Sequence, residues 1–201
     1  MLPTLALWCR LLTPAPAAGD GIVLTVTIVP DAKDWTWVLQ RPCPECGLDT
    51  QGFPRADLPA MIRASGERWR LLLAAPGNHR TRPAPGTWSA LEYGCHVRDV
   101  FRLYDTRLTL MLTQDGPRYP NWDQNVTAIE DGYAEQDPAA VAAELAAAAE
   151  VIAARFERVS GDQWLRSGFR SDGAEFTIES FGRYFIHDPL HHYYDVTGTT
   201  T

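Results

Sequence analysis

The sequence predicts an all-α protein, a four-helix bundle behind an irregular N-terminal extension. Three observations carry that expectation. Four segments read as helical, with apolar residues close to every 3.6 positions in the second and an alanine run in the third. Helix start signals stand ahead of these segments, and Pro/Gly-rich breaks separate them. Two of the connections are short and one is long, which suits a helix bundle.

Taken in order, residues 1–55 read as the extension. "MLPTLALWCRLLTPAPAAGDG" has a short apolar stretch interrupted by Arg10 and no positive region ahead of it. It is expected to be a poorly ordered lead, not an export signal. Residues 22–29, "IVLTVTIV", favour a strand locally. Residues 30–56 read as an irregular segment that packs the tryptophans of "DWTWVL" on the main body.

Residues 56–201 form the bundle. Asp57 can cap a first helix over 58–75, with Leu58, Met61, Ile62, Trp69, Leu72 and Leu73 on its apolar face. "APGNHRTRPAPG" stops it. A second helix runs from about Trp88 to Thr113, its apolar positions including Leu91, Cys95, Val97, Phe101, Tyr104 and Leu108. Residues 114–136 are polar and too long for a plain bundle turn, so they are a candidate for lining a site, with a short helix expected at "VTAIEDGYA". Asp137 and Pro138 open the third helix, whose alanine run gives high helix propensity and permits close helix contact. The fourth helix runs from about Thr177 towards Asp195.

The chain has 201 residues, enough for one domain with a substantial core. A net charge of -7 argues against a nucleic-acid surface, which needs clustered Lys and Arg. No apolar run reaches the length of a membrane span. A cytoplasmic setting is expected. The expected partner is a small-molecule substrate, with a homodimer as the candidate assembly. Four cysteines do not make a disulfide scaffold at this size. Cys43 and Cys46 stand in "CPECG", a turn that aims two thiolates at one point. No second C-x-x-C accompanies it, so it is half a metal site, a redox pair, a disulfide or a structured turn.

Chemistry concentrates in "FIHDPLHHYYDV", residues 185–196, which holds three of the five histidines. His187 and His191 are four apart and project from one helical face, so both can reach one cation. His96, the histidine inside the second helix, is the natural third ligand. His79 lies in a loop, and His192 points about 100° away from His191. Pro189 either kinks the helix or restarts it with Asp188 as cap. Asp99, Asp188 and Asp195 are candidates to orient an imidazole. Arg98, Arg102 and Arg183 are candidates for an anionic group. Trp122, Asp123, Glu130 and Tyr133 in the long connection are candidates for pocket lining. For each of these alone, the plainer reading is a solvated or structural residue.

"RPAPGTWSALEYGCHVRDVFRLYDTRLTLML" resembles the second-helix signature of the DinB-like superfamily, with a Trp-Ser helix start and a histidine eight residues after the tryptophan. "HDPLHH" resembles that family's H-x-x-x-H on the last helix, and "DWTWVLQRPCPECG" is similar to actinobacterial members. The resemblance covers residues 56–196. It implies an up-down-down-up bundle with a divalent metal (zinc, nickel or iron) held by His96, His187 and His191. It also implies a metal-dependent S-transferase or isomerase using a low-molecular-weight thiol such as mycothiol, of the maleylpyruvate isomerase type. Three protein ligands leave open positions at a cation. The alternatives are a metal-dependent hydrolase on the same site and a non-catalytic metal-binding or stress-related protein.

Overall fold

The computed structural model describes residues 35–84 and 86–199. The expected strand at 22–29 and the reading of residues 1–21 fall outside them. Four long helices make the bundle: α1 (Leu58–Ala74), α2 (Ala90–Thr113), α4 (Pro138–Glu157) and α5 (Ile178–Thr197). Helix α3 (Gln124–Glu130) is short and lies in the long connection, beginning two residues earlier than its expected segment and ending sooner. That connection returns the chain to the end from which α2 set out, so α4 runs alongside α2 in the up-down-down-up order.

Local chemistry sets the helix ends. Ser89 and Glu92 form a reciprocal capping box at the start of α2, and Arg82 neutralises the buried Glu92 carboxylate. The Asp137 carboxylate caps α4 by accepting from the Ala140 backbone N–H, with Pro138 at the first position. Thr177 caps α5, and Gly198 ends it in the left-handed conformation at φ 72°.

Both α1 and α2 pack chiefly on α4 and α5, so α1 lies across the bundle from α2, and α4 from α5. The alanine face of α4 lets α1 approach unusually near. A Cβ built on Gly66 would stand 2.5 Å from the Ala149 Cβ. Trp69, Phe101, Leu108, Leu145, Ile152, Phe156, Phe181 and Phe185 fill the core between the helices.

A small three-stranded sheet closes one end, in the order β1 (Arg118–Tyr119), β2 (Ser167–Arg170) and β3 (Glu175–Thr177). Strands β1 and β2 are parallel and β2 and β3 antiparallel. It ties the long connection to the segment leading into α5. No strand is expected from the sequence in either segment; the strands are only two to four residues long, too short for an alternating pattern to register. Among the described residues, no helix is long and apolar enough to cross a membrane.

Helix α5 passes through Pro189 without restarting. Of the two outcomes open to that proline, the chain therefore remains helical. The Trp69 indole, fully buried on α1, donates to the Pro189 carbonyl at 3.0 Å, which fixes the proline turn against the core.

The close α1–α4 contact yields a direct expectation. Gly66→Ala should destabilise the fold by about 1–3 kcal/mol, because overpacking against a methyl that cannot rotate away exceeds the roughly 1 kcal/mol gained in helix propensity. Chemical denaturation of the two proteins measures this.

Candidate metal centre

Residues 187–192 form a helical turn at the heart of the site. At about 100° per residue, His187 and His191 share one strip of α5, and Asp188 and His192 share the next. Each strip meets a different partner, so two clusters of ligand-type side chains are built side by side.

On the first strip, His187 and His191 meet Cys43 and Cys46, with all four residues buried. One donor atom from each lies within 4.8 Å of the others. The thiols are delivered by the "CPECG" turn. Its backbone closes through Gly47 N–H to the Cys43 carbonyl and Cys43 N–H to the Leu48 carbonyl, both at 2.9 Å. Gly47 takes φ 76°, which a side chain would resist. A 3₁₀ turn at Trp35–Leu39 precedes it and sets Trp35 against both imidazoles, at 5.4 and 5.0 Å between ring centres. Arg183 on α5 donates to the Thr50 and Phe53 carbonyls, strapping this lead-in to the helix.

On the second strip, Asp188 and His192 meet His96 from α2. His96 is fully buried, between Trp122, stacked at 5.3 Å and 7°, and Trp88 at 5.4 Å. Its Nε2 lies 3.4 Å from Asp188 Oδ1. The approach lacks hydrogen-bond geometry, and both His96 nitrogens and Asp188 Oδ1 are buried without a hydrogen-bond partner. Tyr93 stacks on His192 at 4.7 Å, and His192 Nδ1 is held 2.9 Å from Asp195 Oδ2.

The three expected ligands are thus placed in two groups. His187 and His191 are brought together as their spacing requires. His96 joins Asp188 and His192 instead, because the strip of α5 facing α2 lies one residue further round the helix. The spacing i, i+4 holds for 188 and 192 as well as for 187 and 191. The sequence signal for the second pair was present but obscured by an aspartate where a histidine was sought.

Burial strips the imidazoles of hydration and favours their neutral, ligating form. Burial, reinforced by the charge of His191, lowers the His187 pKa from 6.5 to about 4. Burial also lowers His96 and His191, against the opposing pull of Asp188 and Asp195 respectively. Burial works against the Asp188 carboxylate, but the imidazoles of His96 and His192 outweigh it and hold Asp188 down to about 2. Burial pushes the Cys46 thiol up to about 11, with Cys43 beside it adding to the rise, which is the opposite of an activated redox thiol.

A pocket of about 300 Å³ opens over this turn, lined by Trp35 from the lead-in, Asn121, Trp122, Asp123, Gln124 and Asn125 from the long connection, and Tyr184, His187, Asp188, His191 and His192 from α5. The long connection therefore lines the site through Trp122 and Asp123. Tyr133 instead donates to Asp99 at 2.6 Å, and Glu130 is exposed. Asp99 accepts from Arg98 and Arg102. Arg98, Arg102 and Arg183 all have carboxylate or carbonyl partners and lie away from the pocket. Asn121, Gln124, Asn125 and Tyr184, which also line the pocket, carried no motif in the sequence.

The donor sets fit a divalent cation. Two ligands on one tetrahedral cation, with bonds of about 2.0–2.1 Å, lie about 3.4 Å apart. His96 Nε2 and Asp188 Oδ1 have that separation and no other partner.

A sequence model of the DinB superfamily matches residues 63–196. Among solved structures, YfiT from Bacillus subtilis superposes with a TM-score of 0.58 at 19% identity, covering 82% of each chain. That protein is described as "a probable metal-dependent hydrolase with an unusual four-helix bundle topology". No curated protein matches the sequence.

Metal-free protein should lose stability as the pH falls from 6.5 towards 4. His187 is neutral when folded down to about 4 but takes a proton near 6.5 when unfolded, so the unfolded state binds more protons across that window. The loss should reach about 3 kcal/mol and should shrink in His187→Gln, as read by denaturation at a series of pH values.

Proposed function

Because the chain belongs to the DinB superfamily, we propose that it is a divalent-metal enzyme acting on a small molecule, its cation held by His96, Asp188 and His192 beside the pocket that Asp188 and His192 line. The observation that carries this reading is the cluster of buried donors without hydrogen-bond partners on His96 and Asp188, placed beside His192, with Asp188 and His192 also lining the pocket. A cation there would lower the pKa of a water or thiol presented to it.

The reaction best supported is hydrolysis. Two histidines and a carboxylate are the donor set of zinc hydrolases such as thermolysin, where three protein ligands leave room for water. YfiT, described as a probable metal-dependent hydrolase, shares the fold. This chain's own residues have definable tasks. Asp188 supplies the one anionic donor and partly neutralises a dication. Asp195 holds His192 by its Nδ1, leaving Nε2 turned towards Asp188 at 3.9 Å. Trp122 and Trp88 enclose His96 and exclude water from its ring. Trp35 and Trp122 give the substrate two flat apolar walls, and Asn121, Gln124 and Asn125 offer amides to its polar groups.

A second reading, thiol-dependent S-transfer or isomerisation with a cofactor such as mycothiol, is supported by that same lining. The lining carries no Lys or Arg among the described residues. Amides and tryptophans suit a neutral, hydroxyl-rich thiol better than an anionic one.

The test is turnover of ester, amide and electrophilic probes by untagged, metal-loaded protein, with and without added thiol. Metal-dependent turnover independent of thiol is expected. His96→Ala and Asp188→Ala should each lower it by more than about 100-fold, the upper end of what a group merely supporting a ligand costs. A strict requirement for thiol would select S-transfer. A wild-type protein without metal-dependent turnover would leave a non-catalytic metal binder.

A further inference from the structure

We propose that Cys43, Cys46, His187 and His191 form a second, closed zinc site whose role is structural: it pins the N-terminal knuckle to α5. The site is separate from the His96 cluster and does not depend on the function assigned to it.

The donor set is the first argument. Two thiols and two imidazoles are a common composition of structural zinc sites, in which four protein ligands fill a tetrahedron and leave no open position. Here they come from a turn and a helix separated by some 148 residues, and all four are buried. Their donor atoms crowd within 4.8 Å. Bonds of about 2.3 Å to sulfur and 2.0–2.1 Å to nitrogen place an S and an N ligand about 3.6 Å apart on one zinc. Cys43 Sγ and His191 Nδ1 are 3.7 Å apart.

The second argument comes from the surroundings. His187 Nε2 is buried without a hydrogen-bond partner. A buried imidazole nitrogen in that state is costly unless something binds it. His191 turns its other nitrogen, Nε2, towards the carboxylates of Glu45 and Asp195, at 3.5 and 3.7 Å. Carboxylates opposite the ligating nitrogen are what fixes the tautomer of a metal-bound histidine. Glu45 belongs to the knuckle itself, so the "CPECG" turn supplies two thiols and one orienting carboxylate. A Cys43–Cys46 disulfide would consume the sulfurs and leave His187 Nε2 as it is; one zinc accounts for all four donors.

The consequence reaches the neighbouring cluster. His187 and His191 alternate along α5 with Asp188 and His192, so zinc on the first strip sets the rotation of the second. It acts across Pro189, where the helix lacks a backbone donor.

The test uses the full chain loaded with zinc or cobalt. Wild-type protein should bind two equivalents of zinc. With cobalt it should show the near-ultraviolet thiolate-to-cobalt absorption of a two-cysteine site. Cys46→Ser should drop to one equivalent and lose most of that absorption, whereas His96→Ala should also drop to one equivalent but retain it in full. To remain independent of variant folding, wild-type zinc protein is titrated with a mercurial thiol reagent. One zinc per chain should be released as Cys43 and Cys46 are modified. Cobalt-loaded wild type without thiolate absorption, zinc content unchanged when the thiols are modified, or a mass short by two hydrogens from a Cys43–Cys46 disulfide would each overturn the site. Loss of only the equivalent that depends on His96 would instead count against the proposed function and leave this site standing.

Discussion

The rotational setting of α5 is the constraint on which the rest of the site depends. Adjacent residues on a helix are about 100° apart, so a single turn can address two neighbours at once, and the turn from His187 to His192 does so. One strip turns to the N-terminal knuckle and the other to α2. A rotation by one residue in one sense would bring His187 and His191 before His96 and carry Asp188 and His192 past it; in the other sense it would bring Asp188 and His192 before the thiols. The arrangement therefore requires that α5 be held firmly, and it carries a proline where the helix is least able to hold itself.

Several contacts supply that restraint. The Trp69 indole binds the Pro189 carbonyl from α1. Arg183, six residues earlier, reaches two carbonyls of the lead-in and is countered by Glu179. Gly182 allows Leu58 and Phe156 to close on the helix, since a Cβ there would stand 2.4 Å from Leu58 Cδ2. A thiol pair facing His187 and His191 adds a further bond at the turn itself once a metal joins them. The extension thereby becomes part of the machinery: the segment that reads as irregular walls the pocket with Trp35 and supplies half of one ligand set.

Much of this was legible in the sequence. The four long helices declare themselves through period, caps and breakers, and the Ala-rich α4 announced the close packing that Gly66 and Ala149 display. The clustering of ligand-type side chains in 185–196 and the pocket-lining place of Trp122 and Asp123 were also readable. The division into two clusters was not. His187/His191 and Asp188/His192 have the same spacing, and only the packed bundle decides which strip faces α2. "CPECG" looked like half a site because its complement lies on a helix at the far end of the chain, in residues already allotted to another site. The short strands are held by tertiary pairing, with too few residues each to leave a pattern.

The central claim is that one turn of α5 serves two cation sites. The most direct measurement is a crystal structure of zinc-loaded protein with anomalous diffraction recorded on either side of the zinc edge. Two peaks are predicted, one enclosed by Cys43, Cys46, His187 and His191 and the other among His96, Asp188 and His192. A single peak shared by His96, His187 and His191, with the thiols turned away, would contradict the account.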